Sequence, residues 1–241
     1  MPLQIRWREN TITPRKMCLI MMICPESYYE MNLKEKDEKQ LRSAIRGLKN
    51  EIGHLKNIME HPDYGKQAIM HPSESVRISC TREYLARAIQ ALEDVGAEYQ
   101  PSKAELKAID FQNNLEHISK ITFEIGGFFD GMTKYVLEFQ GDKAGFISSK
   151  FDCILEEKPM DKEEVMWLLS RLYIGEWRKY YSPSRFGYCV MDGTQWSVSF
   201  EYSNGHKKEE FAGSNDYPYN FSDFIEIFGL DDDMEIEEDE E

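Results

Sequence analysis

The amino-acid sequence predicts an α+β protein: a helical N-terminal half with a short hairpin, then an antiparallel meander sheet flanked by helices. Three observations lead there. Leu41, Ile45, Leu48, Ile52, Leu55 and Met59 follow one another at steps of 4, 3, 4, 3 and 4, the apolar seam of a helix. In the second half, Ile121, Phe123 and Ile125, and later Trp196, Val198, Phe200 and Tyr202, alternate with polar residues, as half-buried strands do. Asn204-Gly205 follows the second of these runs, and Asn-Gly is a strong hairpin signal because both residues tolerate positive φ.

The elements follow in order. Leu3, Ile5 and Trp7 alternate with polar residues, and the apolar run Met17–Cys24 comes after a polar turn, which predicts a hairpin, the second segment fitting a short buried helix equally well. A helix is expected over about 33–60, packed on another helix of the chain, because its seam is shorter than a coiled-coil dimer needs. Val76, Ile78 and Cys80 predict a short strand, followed by a helix over 81–95 that stops at Gly96. Ser102 and Glu105 form a capping box, so a helix runs to about Leu115 and buries Leu106, Ile109 and Phe111. Strands are expected at 121–125, 135–139 and 144–148. A helix opening at Pro159 and Asp161 follows, burying Val165, Leu168, Leu169 and Leu172. A three-stranded meander over 186–191, 195–202 and 206–212 comes next. A last helix opens at Pro218 and Asn220, buries Phe221, Phe224, Ile225 and Phe228, and ends at Gly229. The two helix starts, Pro159 to Val165 and Pro218 to Phe224, share a pattern that either an internal duplication or common capping chemistry explains.

This divides the chain into a mainly helical region with short strands (1–118), a meander-sheet domain (119–230) and an acidic, disordered tail (231–241). Charge follows the division. Residues 1–118 hold 17 basic and 17 acidic side chains, whereas 119–241 hold 12 and 27, which accounts for the whole net charge of −15. Nine of those acids lie in the last eleven residues. Such a half repels nucleic-acid phosphates and favours a protein partner with a basic surface. The longest apolar run, eight residues, falls short of the ~20 that a membrane helix needs. Five scattered cysteines, each in an apolar or strand-like stretch, read as reduced core residues of a cytoplasmic protein.

Catalytic chemistry has no anchor in the motifs. The five histidines lack metal-ligand spacing, no Gly-x-Ser-x-Gly or phosphate loop occurs, and no cofactor is expected. The densest candidate contact surface is the strip 177–188, where Trp177, Arg178, Lys179, Tyr180, Tyr181 and Arg185 interleave aromatics with cations. Its alternative reading is a helix exit and strand start whose aromatics enter the core. Asp231, Asp232, Asp233 and Glu235 of the acidic run are the other candidate partner-binding residues.

Two resemblances attach to particular residues. His61-Pro62-Asp63, after a helix bearing Arg42, Arg46 and Lys49, resembles the loop by which a J-domain contacts an Hsp70 chaperone. The strand expected at 75–80 stands where such a domain has its next helix, so the triplet reads as ordinary helix-stop residues. Trp196-x-Val198-x-Phe200-x-Tyr202-x-Asn204-Gly205, with Gly213-Ser214-Asn215-x-Tyr217-Pro218-x-Asn220-Phe221, looks like a pattern of uncharacterised bacterial proteins, many from genomes rich in mobile elements. That resemblance implies the hairpin-then-helix order and no activity. The expected function is therefore that of an acidic macromolecule-binding protein, an inhibitor or regulator (of the anti-defence type) whose carboxylates imitate phosphates towards a nucleic-acid-handling machine. The alternatives are a carboxylate-based hydrolase and an assembly protein using the helix at 41–59.

Overall fold

The computed structural model describes residues 23–66, 71–127, 129, 131–141, 143–190 and 192–230. The hairpin expected before Ile23 and the acidic run 231–241 lie outside them. The chain forms two compact units, Met1–Ile58 with Gly65–Tyr99, and Met59–Tyr64 with Gln100–Glu241.

The first unit is helical: α1 (Pro25–Asn32), α2 (Glu38–Met59) and α3 (Glu74–Asp94). The α2 seam holds, with Leu41, Ile45, Leu48, Ile52 and Leu55 all buried. Leu41, Ile45 and Leu48 share a core with Tyr84, Ala88, Ala91 and Leu92 of α3. Tyr28 of α1 stacks on Tyr84 with ring centroids 4.2 Å apart, and the Tyr84 hydroxyl donates to the Ile23 carbonyl.

Residues 75–80 are helical and not a strand. Ser73 caps α3 by accepting from the Val76 amide, and Ile78, Thr81, Tyr84, Ala88, Ala91 and Leu92 form its buried side. Val76 sits nearly half exposed. The alternation of Val76, Ile78 and Cys80 was therefore local, and the 3-to-4 spacing beginning at Ile78 prevails because it has α2 to pack on. Helix α1 had no expectation attached. Pro25 starts it, and its cap is the Cys24 thiol, a weak acceptor that the usual Ser/Thr/Asp/Asn signal does not include.

The second unit is one seven-stranded sheet with helices on one face. Its elements are α4 (Lys103–Asn113), β1 (Ile118–Gly127), β2 (Gly131–Gln140), β3 (Lys143–Lys150), β4 (Cys153–Asp161), α5 (Lys162–Arg171), β5 (Tyr180–Tyr181), β6 (Gln195–Tyr202), β7 (Glu209–Ser214) and α6 (Phe221–Glu226). The strand order is β4-β3-β2-β1-β6-β7-β5, antiparallel except for the short parallel pair β5–β7. Ile121, Phe123 and Ile125 of β1 stand beside Phe200, Val198 and Trp196 of β6. They share the core with Phe111 of α4, Val165 and Leu169 of α5, and Phe221, Phe224 and Ile225 of α6. Phe123, fully buried, lies 5.1–6.0 Å from the rings of Tyr135, Phe221, Phe224 and Phe228.

Strand β4 was not foreseen: it runs through Pro159 on the edge of the sheet, where a missing N–H is tolerated. The helix starts after it, with Asp161 accepting from the Glu164 amide. Residues 183–186 make a 3-10 turn and the described residues 187–190 add no strand, and β6 pairs with β1 instead. The β6–β7 connection is a six-residue loop, 203–208, in which Gly205 takes positive φ and Asn204 does not. Helix α4 has its capping box, yet buries only Phe111; Leu106 and Ile109 are exposed. Cys24, Cys153 and Cys189 are exposed free thiols, since they fall on a cap, an edge strand and a loop.

Candidate functional site

The aromatic-basic strip leaves α5 through the 3-10 turn Ile174–Glu176, which Tyr173 enters in the left-handed region at φ 51°. Gly175 is needed there: a Cβ would lie 2.7 Å from Phe111 Cβ and 2.8 Å from Ala108 Cα of α4. The strip then splits by direction.

Trp177, Tyr181 and Arg185 turn inward. Trp177 is buried edge-on to Trp196, Phe211 and Phe224, and its Nε1 donates to Asn220 Oδ1 at 3.0 Å. Asn220 Nδ2 donates to the Leu172 carbonyl. Asn220 thus closes a buried polar link between two segments and makes no side-chain cap for α6, unlike Asp161 before α5. The two helix starts therefore do not share capping chemistry. Tyr181 is buried, with its hydroxyl accepting from the Arg178 amide at 3.1 Å, and burial pushes its phenol far up.

Arg185 joins two buried carboxylates. Its Nε and Nη2 donate to Asp216 Oδ2 and Oδ1 at 2.8 and 2.9 Å, and its Nη1 donates to Glu60 Oε2 at 2.8 Å. The Glu60 and Asp216 side chains are 4 % and 1 % exposed. Burial opposes the guanidinium charge, but the bonds to Asp216 and Glu60 outweigh it and raise the Arg185 pKa. The Asp216 carbonyl also accepts from Trp196 Nε1 at 2.9 Å. Beside this triad the Tyr188 hydroxyl donates to Asp63 Oδ2 at 2.7 Å, and the His61 ring lies 4.7 Å from Phe186. Neither Glu60 nor Asp216 carried a sequence signal, since only tertiary packing brings residues 125 and 31 positions from Arg185 into its reach.

Arg178, Lys179 and Tyr180 face outward. Arg178 reaches within 3.9 Å of Glu60, Lys179 pairs with Glu209 and lies over the Phe211 ring, and Tyr180 is 60 % exposed. Asp231, Asp232, Asp233 and Glu235 lie outside the described residues. The strip's aromatics divide between core and surface, and its cations are matched by acids.

Three further acids of the sheet are also paired with lysines. On the face turned from the helices, Lys120 pairs with Glu138, Lys134 with Glu124 and Lys208 with Glu210. His206 ties α4 to the β6–β7 loop: Nε2 meets Asp110 Oδ2 at 2.9 Å and Nδ1 meets the Lys207 carbonyl at 3.0 Å. The hydrogen bond to Asp110 leads in raising its pKa. Among the described residues no group of three or more His, Cys, Asp or Glu could hold a metal ion, and no helix is long and apolar enough to cross a membrane. Comparison with protein-family models, curated proteins and solved structures finds no match for the chain.

Proposed function

We propose that the chain is an acidic protein-binding protein whose C-terminal unit engages a partner with a basic surface. The observation that carries this reading is the segregation of charge, 27 acids against 12 bases after residue 118. Phosphate imitation is the sharper form. Because Glu124, Glu138 and Glu210 of the sheet are each paired with a lysine, that form rests on the run 231–241. The two buried carboxylates brought together inside the second unit, Glu60 and Asp216, are locked in ion pairs with Arg185, which supports binding over hydrolysis. The assembly reading finds Leu41, Ile45 and Leu48 already packed within the first unit. Binding by the immobilised chain to a basic partner from a bacterial lysate should fall steeply between 50 and 500 mM salt, about tenfold or more. Capture that ignores ionic strength removes the charge-based mechanism.

One observation favours a second reading. A helix, α3, does follow His61-Pro62-Asp63, so the element whose expected absence set the J-domain resemblance aside is present. The reading is an Hsp70-contacting loop. It is checked by measuring the ATPase rate of a bacterial Hsp70 with the chain and with His61→Gln. Stimulation lost in the variant supports it; equal rates with and without the chain end it.

A further inference from the structure

Exposed apolar side chains gather at one end of the sheet, in one corner: Met132 at the start of β2, Phe151 in the β3–β4 turn, and Ile154 and Leu155 at the start of β4, with Lys134 in the same row as Ser149 and Ile154. The register sets Val136 opposite Ile147, and Ser149 opposite Ile154. Between Ser148 and Ser149 the β3–β4 register shifts, so Leu155 is an extra residue that interrupts the alternation. Ile154 and Leu155 consequently both remain in solvent, 64 % and 62 % exposed.

Phe151 is the most informative member. It and Asp152 form the two-residue β3–β4 turn, both at positive φ (49° and 61°), a conformation that Asn and Gly adopt readily and a bulky aromatic does not. Its ring reaches over Gly131, where a Cβ would come within 2.6 Å of it, and still stands 74 % exposed. Folding alone would favour Asn at this turn. A strained aromatic that gains little burial is explained by what it presents to solvent.

The border of the corner indicates what fits. The β3–β4 turn and edge strand, residues 151–161, hold Asp152, Glu156, Glu157 and Asp161 against the single base Lys158, which is paired with Glu156; one base from β3, Lys150, lies over the Phe151 ring, 5.8 Å from its centroid. Anionic lipid is repelled by that border, and a second copy of a chain with net charge −15 is opposed by its own charge. We infer that this corner is the docking site for a basic amphipathic segment of a partner protein, apolar side chains on Phe151, Ile154 and Leu155 and cations along β4. This deepens the function proposed above and rests on it.

The probe is a synthetic amphipathic peptide of Leu and Lys, with a Leu/Glu peptide as its counterpart, titrated calorimetrically into the full chain. Phe151→Asn suits the turn and should leave Tm unchanged or raised. Combined with Leu155→Ser it should weaken Leu/Lys binding at least tenfold. Trp167→Ser, an exposed aromatic of α5, should leave binding as it was. Amide shifts on binding should gather in 131–136 and 145–157. Undiminished binding by the double variant, or equal loss in Trp167→Ser, overturns this site while leaving the broader function standing. No Leu/Lys binding at low salt removes both. Binding of phosphatidylglycerol vesicles, or a dimer in sedimentation that the double variant disperses, overturns the choice of occupant.

Discussion

Arg185 shows how one side chain can be expected at a surface and found holding an interior. Two buried carboxylates depend on it, so replacing it leaves both charges unmatched, a loss far larger than that of a surface ion pair. Arg185→Met should destabilise the fold by about 3 kcal/mol, read by urea denaturation. A change below about 0.5 kcal/mol would mean that Glu60 and Asp216 find other partners. His206, its side chain partly buried, makes a contribution of another kind, one that depends on pH. Its folded pKa is raised above the unfolded value near 6.5, so its stabilising bond to Asp110 is fully present below that value and is lost as pH rises through the folded pKa. His206→Gln should therefore lower Tm clearly at pH 5.5 and hardly at pH 9. An equal drop at both would show that charge is not what the bond contributes.

Helix boundaries depend on which periodicity has a partner. Ser73 is the signal that marks the true start of α3, and Ser73→Ala should cost about 1 kcal/mol of stability, with loss of helical circular dichroism confined to a small fraction. No change would mean that the helix starts further on, as the strand expectation for 75–80 implies. The capping box of α4 and the Asp161 cap of α5 were legible because their acceptors and spacing are local. Asn220 had the right residue type for a cap and serves elsewhere, because its side-chain oxygen accepts from the buried Trp177 indole, which needs an acceptor. Strand β4 was hidden by Pro159 and by an edge position that buries almost nothing, which removes the alternation a strand is recognised by.

Taken whole, the chain is polar in charge as much as in fold. Removing residues 231–241 takes away nine of the fifteen net negative charges. Association with a basic partner should then slow about tenfold at low salt, with dissociation little altered, since long-range charge acts mainly on encounter. Stopped-flow rates over an ionic-strength series measure this, and an unchanged on-rate would place the relevant acids on the sheet instead. Helix α4 belongs with the sheet unit, because Phe111 completes its core.

The sequence by itself determined the α+β class, the α2 seam, the alternating strands β1, β2, β3 and β6, and the lopsided charge. Each of these is written in near neighbours, where a period of two or 3.6 and a local excess of acid need no knowledge of the rest. Tertiary structure decided which aromatics of the strip turn inward, that Arg185 meets Glu60 and Asp216, and that an apolar corner stays open beside β4. Those outcomes depend on which distant segments arrive opposite one another, and strand order and register exist only once the chain has folded.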